Sequence, residues 1–274
     1  MKIILFPTDF SPSADNALSY ATGLCEAMNA KLVLLHAWHV PAFATQVPSE
    51  TFSEEKVRAE ASAHFQKYKA NRLLKGHKIT VEEHVKSGFA VDTIVSEAKE
   101  CKADLIVMGT KGASGLEEVF IGSNTASVME KAPCPVLAVP ADAKFHPPKK
   151  IAFATNYSGN DFDALKFIAS IASPFQAELV VVHISNIIAD DYQEDLLNIL
   201  KEKVEKEVHY KNITFDSFTG DSVTDALNSF SHLNKIDLVA LAMRKRNLIS
   251  RLFDRSLTKK MAYHTHIPLL SVHG

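Results

Sequence analysis

Short apolar runs alternate with longer amphipathic segments along the whole chain. The first of these runs cover residues 3–6, 31–38 and 105–108. Such runs are typical of strands buried on both faces of a parallel sheet, and the amphipathic segments between them are typical of crossover helices. The pattern therefore predicts an α/β fold in which helices cover both faces of the sheet.

Capping and breaking residues set the limits of the predicted elements. Ser11 followed by Pro12 predicts the start of a helix that runs to about Met28. Pro133 and Pro135 end a helix predicted over 123–131. Further helices are predicted over 53–74 and 90–101, strands over 77–85 and 136–139, and a candidate flap over 41–48.

The pattern starts again near residue 150. The segment 6–11 (FPTDFS) returns as 153–158 (FATNYS), 147 positions later, whereas Asp104 and Pro135 return as Asp237 and Pro268, 133 positions later. Since 147 less 133 is 14, the second copy lacks 14 residues between its second and fourth strands. We expect a tandem duplication with a first domain over 1–143, a linker over 144–150 and a second domain over 151–274.

Composition and charge narrow the class of protein. The chain has 274 residues, 46% of them hydrophobic, and a formal charge of −2, which disfavours a nucleic-acid binder with a broad basic surface. No segment has the length of a membrane span, and the first apolar run is too short for a signal peptide. Three distant cysteines, Cys25, Cys101 and Cys134, are expected to be reduced thiols in a cytoplasmic protein.

Twelve histidines raise the question of a metal site. The closest pairs are His36 with His39 and His264 with His266, and neither has a cysteine or carboxylate at a recognised ligand spacing. His36 and His183 fall at equivalent strand ends of the two copies. We predict a structural role for these two residues and no metal.

Four of the ten glycines lie between one apolar run and the next helix, at positions 109, 112, 115 and 122. In a strand, loop and helix unit of this kind, glycines let the main chain approach a ligand, and the amides at the helix start attract an anion. A phosphate group is the expected ligand, and Ser123, Asn124 and Thr125 would add polar side chains. The alternative is that the glycines only form turns.

The loop is neither a Walker motif nor a G-x-G-x-x-G fingerprint. Gly109 and Gly112, followed after nine residues by Gly122 and Ser123, resemble the ATP-binding signature of the universal stress protein family. The segment 7–11 (PTDFS) resembles the start of the same family. The resemblance implies two tandem Rossmann-like domains of the adenine nucleotide alpha hydrolase type, each with a five-stranded parallel sheet, and a bound ATP, ADP or AMP with or without Mg²⁺.

The resemblance also implies roles for single residues. Asp9 would accept hydrogen bonds from the ribose hydroxyls, although an aspartate there can equally serve as a helix cap or turn acceptor. Ala37 would pack on the base, as would Met108 unless it is plain strand core. The predicted nucleotide-binding residues are Thr8, Asp9, Ala37, Met108, Gly109, Gly112, Gly122, Ser123, Asn124 and Thr125.

The second copy has lost this pattern. Its counterparts of the four glycines are Ala242, Lys245, Leu248 and Arg255, while Asp9 is replaced by Asn156. Residues with a side chain do not readily adopt the backbone that such a loop needs, so we expect no ATP there. The basic run 244–260 is either a solvated face or a site for an anionic partner.

In universal stress proteins the last strand often mediates pairing, so 136–139 and 269–272 are candidates for an internal interface like that of a homodimer. The alternative is that both are edge strands of independent domains, and association of two chains is also open. We favour pairing because an uncovered apolar edge promotes aggregation.

The sequence thus predicts a cytoplasmic ATP-binding universal stress protein with a regulatory role in the stress response and with nucleotide in the first domain only. Catalytic residues are not identified, so slow ATP hydrolysis is the most that we expect. Two alternatives are a weak ATP-hydrolysing or phosphotransfer enzyme and a scaffold that binds an anionic partner through the second domain. The protein partner is not indicated.

Overall fold

The computed structural model describes residues 1–39, 53–70, 74, 76–110, 122–155, 161–185, 191–220, 222–243 and 267–273. The chain divides into two compact units, Met1–Phe145 and His146–Gly274. We call them unit 1 and unit 2. Each is an α/β domain built on a parallel sheet, as the sequence predicts.

In the described residues of unit 1, five strands alternate regularly with four helices. Its sheet has the order β3-β2-β1-β4-β5, and every pairing is parallel. The elements are β1 (Ile3–Pro7), α1 (Pro12–Met28), β2 (Lys31–Trp38), α2 (Glu54–Ala70), β3 (Val81–Ser87), α3 (Ala90–Glu100), β4 (Leu105–Gly109), α4 (Ser123–Lys131) and β5 (Val136–Val139).

Unit 2 repeats this order. Its strands follow one another as β10-β9-β6-β7-β8, again with parallel pairings. The elements are β6 (Lys150–Thr155), α5 (Asp161–Ala172), a short 3₁₀ turn (Ser173–Phe175), β7 (Glu178–Ser185), α6 (Asp191–Glu207), β8 (Ile213–Thr219), α7 (Val223–Leu233), β9 (Leu238–Met243) and β10 (Leu269–His273).

The central strands form the core of each unit. In unit 1 the side chains of Ile4, Leu5 and Phe6 on β1 are fully buried, as are those of Leu32–Leu35 on β2. Both faces of the sheet must therefore be covered. Right-handed crossovers place α1 and α2 on one face and α3 and α4 on the other, because the chain moves across the sheet in opposite directions before and after β3.

Two contacts at equivalent positions confirm the duplication. Asp104 accepts hydrogen bonds from the amides of Lys2 and Ile3 through Oδ2, at 2.6 and 2.9 Å. In unit 2, Oδ2 of Asp237 accepts from the amides of Lys149 and Lys150 at 2.7 and 2.9 Å. Equivalent aspartates therefore fix the start of the first strand in each unit.

Local signals predict α1 correctly, but two other boundaries differ from the sequence prediction. The strand predicted over 77–85 is observed as β3, Val81–Ser87, because its partner β2 begins only at Lys31 and the first pair is Leu32 with Val81. The helix predicted to reach Leu74 is α2, Glu54–Ala70; Leu74 lies in a turn in which its carbonyl accepts from His77. Residues 71–73 and the candidate flap 41–48 lie outside the described residues.

The segment after β5 is attached to α1. Nδ2 of Asn16 donates to the carbonyls of Pro140 and Ala143 at 2.9 and 2.7 Å, and Tyr20 donates to the carbonyl of Lys144 at 2.9 Å. The ring of Phe145 packs edge-on to Tyr20 with centroids 5.2 Å apart. The start of the predicted linker is thus held by unit 1, while β6 begins at its last residue. The domain limits and the pairing of the two last strands stay predictions.

Among the helices of the described residues, none combines the length and the apolar character needed to cross a membrane.

Candidate functional site

The predicted ligand residues of unit 1 follow strands that are neighbours in the sheet. β1 lies between β2 and β4, and the chain turns in opposite directions after β1 and after β4. The carboxyl ends of the two strands therefore leave a crevice between their loops, which is where ligands bind in open α/β sheets. Thr8 and Asp9 follow β1, and Gly109 ends β4.

Thr8 organises the loop after β1. Its amide donates to the carbonyl of Leu35 at 2.8 Å, and its Oγ1 accepts from the amide of Phe10 at 2.9 Å and contacts the hydroxyl of Tyr68 at 3.0 Å. Nδ1 of His36 lies 2.9 Å from the carbonyl oxygen of Thr8; a carbonyl only accepts, so Nδ1 carries the proton. Thr8 is itself buried, so its role here is to hold the loop.

Asp9 is exposed at the carboxyl edge of the sheet. Its Oδ1 accepts from the amide of Ser11 at 3.0 Å, and Ser11 in turn caps α1 by accepting from the amide of Ala14. The turn-acceptor role considered from the sequence is therefore present. It also fixes the direction of the Asp9 carboxylate at the rim of the crevice.

Phe10 has the left-handed backbone conformation, with φ of +59°. A non-glycine residue in this region is strained and is retained only where its surroundings fix it. Its ring stacks on His64 of α2 with centroids 4.4 Å apart and lies 4.7 Å from the ring of His36. Phe65 and Tyr68 of α2 complete the contact, so α2 is joined to the loop after β1.

Gly109 has no room for a side chain. A Cβ at this position would lie 2.8 Å from Oγ of Ser13 and 3.0 Å from its carbonyl oxygen. Ser13 is buried in the first turn of α1, and its Oγ has no hydrogen-bond partner within the described residues. An unsatisfied buried hydroxyl at the base of the crevice is a potential donor to a polar ligand.

Gly122 brings the start of α4 close to the end of β4. Its amide donates to the carbonyl of Thr110 at 2.6 Å, and a Cβ would lie 3.0 Å from that oxygen. Oγ1 of the buried Thr125 donates to the carbonyl of Gly109 at 2.9 Å. The helix start is therefore fixed against the strand at two points.

Gly122 is the N-cap of α4 and provides no side-chain acceptor. Ala126 is the donor of the bond to the Gly122 carbonyl, so the amides of Ser123, Asn124 and Thr125 precede the helical ladder. The side chains of Ser123 and Asn124 are exposed beside them. These amides and the positive end of the helix dipole suit an anion such as a phosphate.

The remaining predicted residues divide into three cases. Ala37 is partly exposed at the carboxyl end of β2 and pairs with Lys86 of β3, so it borders the same edge. Met108 is 7% exposed and lies in the strand core, which leaves little of its side chain for a ligand. Gly112 lies outside the described residues, as do the other positions of 111–121.

Both halves of the chain match a known protein family. A family model described as "Universal stress protein family" matches residues 1–140 and again 148–273. Those two matches together cover nearly the whole chain.

The chain belongs to the universal stress protein family.

Relatives and solved structures are consistent with this membership. A universal stress protein of Thermus aquaticus is 34% identical over 145 residues, which are 50% of this chain and 98% of the relative. One of Methanocaldococcus jannaschii is 34% identical over 141 residues, 50% of this chain and 81% of the relative. The crystal structure of a universal stress protein from Archaeoglobus fulgidus aligns over 99% of this chain and 98% of its own with a TM-score of 0.76; at 15% identity this likeness shows the fold.

Unit 2 of this universal stress protein shares a histidine contact with unit 1 but differs from it at the end of β9, the strand equivalent to β4. Nδ1 of His183 lies 2.8 Å from the carbonyl oxygen of Thr155, repeating the contact of His36 with Thr8 and supporting a structural role for both histidines. Ala242 on β9 stands at the register position of Gly109. Asn156 and the basic run 244–260 lie outside the described residues.

Sequence reasoning missed four residues of the site in unit 1. Ser13 and Thr110 contact the two glycines that have no room for a side chain, and Phe10 and Tyr68 hold the loop after β1. Ser13 could have been found from its place in the first turn of α1, three residues after the loop. Nothing local to Tyr68 indicates its contact, because 60 residues separate it from Thr8.

Proposed function

We propose that unit 1 binds an adenine nucleotide, ATP or ADP, at the carboxyl ends of β1 and β4. The observation that carries this proposal is the close approach of main chain to main chain at Gly109 and Gly122. Two backbone positions without space for a Cβ, beside a helix start without a side-chain cap, support a phosphate site. Family membership supports the same ligand.

Each part of the nucleotide has a suitable group along the edge. The phosphates would lie at the start of α4, where the amides of Ser123 and Asn124 and the hydroxyl of Ser13 are available as donors. The Asp9 carboxylate would accept from the ribose hydroxyls, and Ala37 would border the base. Mg²⁺, if it accompanies ATP, would be held chiefly by the phosphates.

Binding with a regulatory role fits this chain better than rapid turnover. Efficient phosphoryl transfer needs positioned metal ligands and a group that orients the nucleophile. The groups assigned above to the crevice, the amides of Ser123 and Asn124, the Ser13 hydroxyl and the Asp9 carboxylate, are binding groups, and neither of these tasks is assigned to any of them. We propose that the protein senses or stores nucleotide in the stress response and that unit 2 does not bind ATP.

Calorimetric titration with ATP, with and without Mg²⁺, tests this proposal. Wild-type protein should bind one ATP per chain, and Gly122→Val should abolish binding because its side chain would displace the Thr110 carbonyl. Gly23→Ala is the control: a Cβ at this position of α1 would meet the ring of Phe145 in the segment after β5, away from the crevice, so binding should persist. ATP binding by Gly122→Val equal to that of wild type would reject the site. Release of many ADP molecules per chain would favour the alternative function, an ATP-hydrolysing enzyme.

A further inference from the structure

Phe89 is an exposed aromatic side chain at the carboxyl edge of the sheet of unit 1. It is 69% exposed. The other large hydrophobic side chains with high exposure in the described residues, Ile199, Val223 and Leu233, belong to unit 2. Phe89 follows β3 at the same edge of the sheet as the candidate site, and this edge carries the ligand-binding loops of open α/β sheets, so its exposed ring is a candidate for ligand contact.

The turn that presents Phe89 is fixed. Gly88 has φ of +145°, a conformation that favours glycine, and its amide donates to the carbonyl of Trp38 at 2.8 Å. A Cβ on Gly88 would lie 2.5 Å from Oγ1 of Thr93. The carbonyl of Phe89 then accepts from the amide of Thr93 at 2.9 Å and starts α3. The ring of Phe89 therefore projects from a rigid junction between β3 and α3.

A second ring lies beside it. The imidazole of His39, which follows β2 and is exposed, is 4.9 Å from the ring of Phe89 between centroids, with the two planes inclined at 42°. We call His39 and Phe89 the aromatic shelf. Trp38, the only tryptophan of the chain, directly precedes His39.

The aromatic shelf continues the order of groups along the carboxyl edge. The strands run β4, β1, β2, β3, about 4.8 Å apart, so the α4 start, Asp9, Ala37 and the aromatic shelf follow one another over about 14 Å. Phosphate, ribose and base follow one another in the same order in a nucleotide. The shelf thus lies where the base of a nucleotide with its phosphates at α4 would end.

We propose that the ring of Phe89, with the ring of His39 packed beside it, stacks on the base of the nucleotide and contributes a large part of its affinity. This inference rests on the nucleotide site proposed above. Stacking on an aromatic side chain is tolerant of the base, because every base has a π-face. The shelf therefore selects for a ligand that carries a nucleobase, and it distinguishes little between ATP and GTP.

Calorimetric titration of three variants tests the aromatic shelf with ATP as the probe. Phe89→Ala should weaken ATP binding roughly 5- to 150-fold, the range expected for the loss of one base stack. Phe89→Tyr keeps an aromatic face and should bind within about twofold of wild type. Leu233→Ala is the control, because Leu233 is as exposed as Phe89 but lies on unit 2. Its ATP affinity should be that of wild type.

The outcomes separate this inference from the proposed function. If wild-type protein binds ATP and Phe89→Ala binds it equally well, the base does not stack on the aromatic shelf, and the proposed nucleotide site is unaffected. If Phe89→Ala and Phe89→Tyr both bind ATP more weakly than wild type, the loss does not come from stacking, and the proposed role of the aromatic shelf is rejected. If wild-type protein binds no ATP, both proposals fall. A loss in Phe89→Ala that Phe89→Tyr restores supports the shelf.

Discussion

Gly109 and Ala242 occupy the same register position in their respective sheets. Gly109 ends β4 and pairs with Val139, and Ala242 on β9 pairs with Val272. In unit 1 a Cβ at this position would lie 2.8 Å from Oγ of Ser13. In unit 2 the strand end already carries that methyl group. The two units therefore share the sheet but differ at the strand end where the proposed phosphate site depends on the absence of a side chain.

The substitutions Gly109→Ala and Ala242→Gly test whether the missing side chain matters in unit 1 only. Gly109→Ala should destabilise unit 1 by about 1–3 kcal/mol, because the added methyl group overpacks against Ser13, and it should weaken ATP binding. Trp38 belongs to unit 1, so its fluorescence during urea unfolding reports on that unit. The reciprocal control Ala242→Gly should leave both the Trp38 transition and ATP binding unchanged. Equal ATP affinity for Gly109→Ala and wild type would contradict the assigned role.

A buried carboxylate should stabilise the edge of unit 1. Glu97 on α3 is 1% exposed, and its carboxylate lies 2.7 Å from Nδ1 of His84 and 2.6 Å from Nζ of Lys86, both on β3. Glu97→Gln replaces a charged acceptor by a neutral amide and should lower the free energy of unfolding by about 1–3 kcal/mol. The shift of the Trp38 unfolding transition in urea measures it.

Glu100 offers the matched control for Glu97. It also contacts Lys86, whose pKa is raised first by its hydrogen bond to Glu100 and then by Glu97. Glu100 is exposed, so Glu100→Gln should change stability little, since exposed ion pairs are weak. If the two variants were equally destabilised, burial of Glu97 would not be the cause.

The three cysteines should differ in reactivity. Burial raises the pKa of Cys25 and of Cys134 to about 12, so both are protonated and covered at pH 8. Cys101 is partly exposed, although burial also raises the pKa of its thiol. Iodoacetamide should therefore alkylate Cys101 first in the native protein and the other two only after denaturation. Peptide mass mapping over time would disprove this if Cys25 or Cys134 were labelled as fast as Cys101.

The same buried thiols predict a loss of stability at alkaline pH. In the unfolded chain a cysteine ionises near pH 9, whereas folded Cys25 and Cys134 hold their protons up to about pH 12. The folded state then binds more protons than the unfolded state, so the free energy of unfolding falls as the pH rises above 9. A Cys25→Ala, Cys134→Ala variant should lose less stability than wild type between pH 8 and pH 10. An unchanged pH dependence would assign the effect to other groups.

The sequence predicts those parts of the structure whose causes are local. The bounds of α1 follow from Ser11 at its start and from the left-handed cap Asn29 at its end, and both signals lie within a few residues of the helix. The sequence pattern places the start of β3 four residues too early, because this start depends on where β2 begins, and β2 lies about 50 residues earlier in the chain. Pairing sets that boundary, and a single segment does not contain it.

The candidate site divides in the same way. Gly109 and Gly122 are visible from their spacing, but the reason they must be glycine is a contact with Ser13 and Thr110 that only the fold brings about. Phe10 is held by rings from β2 and α2, and no periodicity of the sequence indicates that convergence. The spacing in the sequence thus identifies the two glycines of the proposed site, whereas the contacts of Thr110 and Phe10 depend on how the chain folds.

The most direct test of a single nucleotide site in unit 1 is to denature freshly purified protein and to identify and count the nucleotide that it releases. The same count is made on wild type and on the Gly109→Val, Gly122→Val double variant after each has been saturated with ATP. It gives the number of nucleotides that one chain can hold. The account predicts one adenine nucleotide per wild-type chain and none from the double variant. Release of two per wild-type chain, or of one from the double variant, would place a site in unit 2, and no release from saturated wild type would contradict nucleotide binding altogether.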